Sequence, residues 1–429
     1  MDKSSSTVPS NAQHIENIAL NHNAADATSN NPPYYPTGYS NGVAPLASPP
    51  INAAHNLHTL PTVNENTSGY AGSQLSKRSS SAIQDRTHQK LRSALGLQQE
   101  APIIEDHDEQ EHQKLLWSRI RLIMREPFAE FWGVFIMIMF GNGGVAQVLL
   151  SGPTSASYSA APGGMGYGNY QSISWGWGLG VMLGIYVAGD SGAYLNPAIT
   201  LAFCVYRGLP FRRWPVYLVA QFLGGFLASG VVYANYIPSI NAYAGVGVRA
   251  VPPNDGATAS IFCTFPQPYM TNGQQFVSEF VASSLLIFVI FALKDESNMG
   301  AALGSKNWFP LSLFFLIFGI GACFGFETGY AINLARDFGP RLMAYCVGYG
   351  TEVWTAGNYY FWVPIVASFT GCMFGGFLYD FFIYTGPESP VNTPWLGIPM
   401  LLNPAKAYKG RSKGREEDKL PDGEDLAPI

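Results

Sequence analysis

Two short segments carry most of the chemistry the sequence offers. Asn196-Pro197-Ala198 opens an apolar stretch over 196–206, and Asn333-Leu334-Ala335 opens another over 333–347. A helix rises ~1.5 Å per residue, so neither stretch crosses the ~30 Å of a bilayer core. Both read as half-helices that enter a membrane and stop. The start of a helix presents free N–H groups and the positive end of its dipole. Pro197 suits a first helical turn, where its missing N–H is not needed. Asn196 and Asn333 hold amide NH₂ donors at the two tips. A centre built from two such tips repels cations and protons and offers donors to neutral oxygen atoms.

Other residue types exclude catalysis. All seven histidines lie at 14, 22, 55, 58, 88, 107 and 112, so the apolar body after them has no imidazole base, metal ligand or pH switch. The five cysteines, at 204, 263, 323, 346 and 372, form no CxxC or other metal-type spacing. Cys263 is expected as a free thiol in a loop, and Cys204 and Cys323 as packed within the bundle. No nucleophile–base set stands in the body, so no enzyme, cofactor or metal is expected. With a net charge of −5 and no dominant basic face, a nucleic-acid partner is excluded.

The elements that position the two segments follow from composition. Of the 429 residues, 12% are charged and 14% aromatic, and the low charge argues against a soluble multidomain protein. Residues 1–113 are rich in Asn, Ser, Ala, Pro and Thr and read as a disordered tail. Lys77-Arg78-Ser79-Ser80-Ser81 within it fits a kinase target, and Asn66-Thr67-Ser68 a sequon with no meaning in a cytosolic tail. Residues 114–126 read as an amphipathic surface segment. Residues 127–385 hold six candidate spans, at 128–150, 172–189, 213–236, 273–293, 309–326 and 360–384. Residues 386–429 are Pro-rich, then charged, and read as a soluble tail.

Basic residues set the orientation. Lys114, Arg119, Arg121 and Arg125 precede the first span. Arg207, Arg212 and Arg213 lie between the second and third, and Lys294 and Lys306 between the fourth and fifth. The loop 151–171 carries none and the loop 237–272 only Arg249; Arg336 and Arg341 are left out because they belong to the second half-helix, inside the membrane. Both termini are therefore expected in the cytosol. The halves also repeat. Ala129-Glu130-Phe131 opens the first span and Ser278-Glu279-Phe280 the fourth, and the two asparagine segments stand at matching places. Three spans per half make the halves inverted, with the site at the midplane. The fold class expected is an all-α membrane protein of six spans plus two re-entrant half-helices. Glu130 and Glu279 are acids inside spans, which is costly and demands partners.

Ser191–Thr200 (SGAYLNPAIT) and Gly329–Arg341 (GYAINLARDFGPR), paired in inverted halves, resemble the major intrinsic protein family, the aquaporins and aquaglyceroporins. The resemblance covers about 127–385, and the long polar tails are similar to those of fungal members. It implies that Glu130 and Glu279 each accept hydrogen bonds from the re-entrant loop of their half, a structural role. It also implies a selectivity filter of Trp177, Gly321, Tyr330 and Arg336. Trp177 is placed by the WGLG pattern with one residue deleted before Ser191. Glycine at 321 replaces the histidine usual in water-selective members and leaves space. Trp177 and Tyr330 then form an apolar corner for a carbon chain, with Arg336 donating to hydroxyls opposite. Asp337, Arg341 and Pro364-Ile365 also look like the glycerol-conducting branch.

Three positions depart from the family pattern. Leu334 stands for proline, and some shift of Asn333 is expected. Tyr194 stands for a common histidine, and its bulk narrows or gates the pore. Tyr330 stands for a frequent phenylalanine. The resulting expectation is a passive channel for glycerol and small uncharged solutes, with some water, in a lipid bilayer, with a water-selective or closed pore as the alternative. A proton-coupled transporter, which also uses inverted repeats, is disfavoured by the missing histidine and the few mid-span acids. A membrane-anchored sensor working through its tails is a further alternative. The resemblance implies a homotetramer with one pore per subunit, and the plasma membrane is the expected location. Gly224, Gly225, Gly371 and Gly375 permit close helix contacts.

Overall fold

The computed structural model describes residues 90–97, 115–152, 166–298, 300 and 305–398, all within the unit from Gly69 to Ile429. The rest of the N-terminal tail, with Ser79 and Asn66, and the tail beyond 398 lie outside the described residues. The described part is helical. A short helix α1 (Leu116–Ile123) leads into α2 (Arg125–Leu150), and α3 is Tyr170–Ala188. A half-helix α4 (Pro197–Tyr206) precedes α5 (Arg213–Ala244). Helices α6 (Asn272–Lys294) and α7 (Ser305–Phe324) follow. The second half-helix α8 (Leu334–Ala344) then precedes α9 (Glu352–Tyr359) and α10 (Val363–Phe382).

Six long helices thus occupy the six expected spans. Among the described residues, α2, α5, α6 and the stretch Glu352–Phe382 are long and apolar enough to cross a membrane. Helix α3 has 19 residues, about 28 Å. Helix α5 runs past the expected boundary at 236 to Ala244 and tolerates Pro238 inside it. The half-helices match the two short apolar stretches.

The side-chain contacts show which helix ends share a side. At one end, Arg92 donates to the Leu122 and Ile123 carbonyls and to Glu126 at the start of α2. At the same end Arg213 Nε donates to the Gly96 carbonyl at 2.8 Å. Residues 90–97 of the expected tail are therefore docked, with Leu97 and Arg92 buried. Arg207 also pairs with Asp380 there, at the end of α10. We call this the basic end. At the opposite, loop end, Tyr170 donates to the Gly321 carbonyl at 3.2 Å, and Asn358 to Asn272 at 3.1 Å. Past α10, Val391 packs into the main hydrophobic core, so packing continues beyond the boundary expected at 385.

The internal repeat is visible as matched close approaches. A Cβ on Gly224 would lie 2.4 Å from the Phe131 carbonyl oxygen, and one on Gly371 2.6 Å from that of Phe280. Phe131 and Phe280 each follow the span glutamate of their half. Gly225 is as close to the Ala335 carbonyl, and Gly375 to that of Ser284. All four glycines are spent on contacts within the chain. Gly141 makes room of another kind: a Cβ there would sit 2.4 Å from the Trp177 ring.

Replacing Gly371 by Val should separate α6 from α10. Overpacking of this kind costs about 1–3 kcal/mol, so thermal unfolding in detergent should start at a lower temperature than for the parent. An unchanged midpoint would sink the close-packing account.

Candidate functional site

The half-helices meet tip to tip. Asn196 caps α4, its Oδ1 accepting from Ala198 N at 2.9 Å. Asn333 caps α8, its Oδ1 accepting from Ala335 N at 2.9 Å and Arg336 N at 3.4 Å. A side-chain acceptor at this position satisfies N–H groups left free by the helix. Each asparagine then reaches across: Asn196 Nδ2 donates to the Ile332 carbonyl and Asn333 Nδ2 to the Leu195 carbonyl, both at 2.8 Å. An amide nitrogen carries two hydrogens, so one remains on each tip. Both asparagines line the same cavity. Asn333 keeps the backbone conformation of Asn196 with leucine following it: φ and ψ are −152° and 120° at Asn196, −156° and 116° at Asn333. Leucine is a good helix former and fits the first turn. Ala198 and Ala335 are buried beside the tips.

The chain before each tip alternates through left-handed conformations. Ala193 and Leu195 have φ of 52° and 53°, and Tyr330 and Ile332 have 39° and 45°. Non-glycine residues adopt such angles at a cost that surrounding structure must offset. The offset comes from the two glutamates. Glu130 accepts from Tyr194 N at 2.9 Å and Leu195 N at 2.8 Å. Ser191 Oγ and Gln221 Nε2 donate to it as well, at 2.6 and 2.7 Å. Glu279 accepts from Ala331 N and Ile332 N, both at 2.9 Å, and from the Tyr360 hydroxyl at 3.1 Å. Both glutamates are fully buried.

Two cavities meet at one constriction. A wide one of about 610 Å³ opens at the loop end, among Pro252, Pro266 and Gly357. A narrow one of about 60 Å³ runs past both asparagines to Tyr194 and Lys294 at the basic end. Trp177, Tyr330 and Arg336 line both. Three of the four expected filter residues are therefore brought together, from α3, the second re-entrant loop and α8.

Two details differ from expectation. Arg336 does not stand opposite the aromatic corner; its guanidinium carbon lies 4.2 Å from the Trp177 ring centroid. That is stacking contact, attractive because the ring face is negative, and it leaves no room for a carbon chain between them. The space at Gly321 is not open either. A Cβ there would meet the Tyr330 hydroxyl at 2.7 Å and Ser174 Oγ at 3.1 Å. The tyrosine fills the place that glycine vacates, and its hydroxyl is buried with no hydrogen-bond partner among the described residues.

Asp337 and Arg341, expected with the selectivity residues, line neither cavity. They clamp a loop instead. Asp337 Oδ1 accepts from Thr264 N and Oγ1, both at 2.7 Å. Arg341 Nε donates to Asp337 Oδ2 at 2.9 Å, and its terminal nitrogens donate to the Thr264 and Val353 carbonyls. The clamped loop carries Phe262, whose carbonyl accepts from Arg336 Nη1 at 3.5 Å. Tyr194 does line the narrow cavity, with its ring 5.0 Å from Phe203.

Cysteine placement departs from expectation in part. Cys263 is a free thiol in its loop, as expected, and is buried there; burial pushes its thiol up to about 12, against the opposing pull of Arg341. Cys323 is exposed, not packed inside.

Sequence reasoning missed Phe262, Thr264, Phe203 and Phe309. Their roles depend on long-range packing, which no local pattern marks. Lys294 was legible only as an orienting charge.

Paired asparagine tips and an arginine–aromatic constriction thus sit inside a bundle of six spans and two half-helices. The family model described as "Major intrinsic protein" matches residues 117–379, and the chain belongs to that family. It is 61% identical over 289 residues to "Aquaglyceroporin-9" of Botryotinia fuckeliana, covering 67% of this chain and 60% of that one. Thus the match spans less than two thirds of that relative's length. It is 57% identical over 309 residues to "Probable aquaglyceroporin-2" of Gibberella zeae, covering 72% and 85%. The X-ray structure of the aquaglyceroporin from Plasmodium falciparum is similar, with a TM-score of 0.51 and 30% identity, covering 61% of this chain and 96% of that one.

Glu279→Gln should leave one of the two re-entrant N–H groups facing an amide NH₂. An unsatisfied buried donor costs about 1–3 kcal/mol, so thermal unfolding should shift down, and Glu279→Ala should shift it further. Equal stability in both variants would remove the glutamate from its supporting role.

Proposed function

We propose that the protein is a passive transmembrane channel for glycerol and other small uncharged solutes, with some water. The observation that carries this is the constriction shared by two cavities and lined by Trp177, Tyr330 and Arg336. Indole and phenol faces suit a CH edge, and guanidinium donors suit hydroxyls. Remaining amide hydrogens on Asn196 and Asn333 donate to solute oxygens at the midpoint. Two helix N-termini facing each other disfavour cations there. No covalent step is involved. The names of the two fungal relatives and of the Plasmodium structure support the solute class.

Arg336 lies on the Trp177 ring, so a polyol must displace it. Such a contact is worth about 0.5–2 kcal/mol, which hydroxyl-to-guanidinium hydrogen bonds can offset. The same stacking favours a second reading, a gated pore at rest. We further propose both termini in the cytosol, the plasma membrane as location, and a homotetramer with one pore per subunit. The charge asymmetry of the loops supports the orientation. Asp337 and Arg341 act on selectivity by fixing the Phe262 carbonyl that positions Arg336.

Light-scattering relaxation of liposomes holding the purified protein is the test. Fast re-swelling under a glycerol gradient is expected. Fast water shrinkage without glycerol entry would overturn the solute reading, and rates equal to empty liposomes would favour the gated pore. Gly321→His must push Tyr330 aside, an overpacked change expected to lower glycerol permeability about tenfold and water permeability less. Equal loss of both would count against these filter residues.

A further inference from the structure

We infer that Lys294 forms a second constriction, at the basic end of the channel, that limits solute passage in series with the first. The inference deepens the solute-channel reading and rests on it. Lys294 is the last residue of α6. Its ammonium lies 4.6 Å from the Phe309 ring centroid, 5.2 Å from Phe203 and 5.8 Å from Tyr194. All four side chains line the narrow cavity. The three rings come from α7, the first half-helix and the first re-entrant loop, so they surround the cation from different elements.

The cage is the counterpart of the arginine on Trp177. Each end of the path carries one cation laid on aromatic faces, and the asparagine tips lie between them. Lys294 holds no ion pair: among the described residues no carboxylate is within salt-bridge distance of it. The acid with the strongest electrostatic influence on it, Glu130, already accepts four hydrogen bonds from its own half. The rings are thus the ammonium's partners in the protein, and the side chain is still exposed to solvent. A lysine needs water or a ring face for its charge, and here it has both.

A solute passing this point must move the ammonium off its rings or squeeze beside it. The lost ring contacts add to the barrier. Barriers in series add, so this one limits flux alongside the arginine constriction. The positive charge also rejects cations before they reach the midpoint, while leaving three donors for hydroxyl oxygens.

The test compares Lys294→Cys with the parent in liposomes under a glycerol gradient. Both carry Cys323→Ser and Cys346→Ser, because those two thiols are exposed. Loss of the ring contacts should raise glycerol permeability about two- to five-fold. Aminoethyl methanethiosulfonate then joins an S–CH₂CH₂–NH₃⁺ group to the introduced thiol by disulfide exchange, releasing the sulfinate. This restores a lysine-like cation and should lower the rate toward the parent value, and a reductant should raise it again. The neutral methyl reagent should leave the raised rate in place. Should Lys294→Cys not fold, Lys294→Met keeps the length without the charge and should raise the rate likewise. Parent and variant rates that are equal and well above empty liposomes would overturn the inference, as would equal inhibition by the charged and neutral reagents. Rates at the empty-liposome level in every sample would instead fail the channel reading, and this inference with it.

Discussion

Two buried carboxylates, each holding a pair of consecutive backbone N–H groups, are the constraint on which the rest depends. The re-entrant loops run through left-handed conformations that leucine, isoleucine and tyrosine do not choose alone. Glu130 and Glu279 make those conformations the ones with satisfied donors. Once the loops are set, the asparagines fall at the helix starts, and each locks the opposite loop through its second function as a donor. An acid in a membrane span is normally a liability. Here every removal of its charge from water is matched by a hydrogen bond, so it serves as the internal scaffold of each half.

On that scaffold the path is shaped by aromatic faces and cations. Few polar side chains line the narrow cavity, Asn196, Asn333, Arg336 and Lys294 among them. Arg336 is held from one side by Trp177 and from another by the Phe262 carbonyl, which Asp337 and Arg341 fix through Thr264. The position of Arg336 therefore depends on a loop that lies outside the cavity wall.

The six spans and two half-helices were legible because long apolar runs, short apolar runs and capping asparagines are local signals. The pairing of Glu130 with Glu279 was legible from the repeat. What escaped was anything decided by volume. The sequence shows a glycine at 321, and local reasoning reads it as empty space. The fold turns Tyr330 into that space, a fact set by the loop dihedrals and not by the residue type. Arg336 on Trp177 was missed for the same reason. Residues 90–97 lack apolar periodicity, yet Arg92 and Gly96 find partners on α2 and α5 that only tertiary structure brings near.

The fit of Trp177 against Gly141 ties the proposed filter to a residue on a different helix. The indole can lie where it does only because nothing projects from position 141. Across related chains the two sites should therefore drift as a couple, with a side chain larger than glycine at 141 accompanied by a smaller ring, or none, at 177. Under the proposed filter, solute range is then inherited in pairs of positions, and reading Trp177 by itself would miss half of each change.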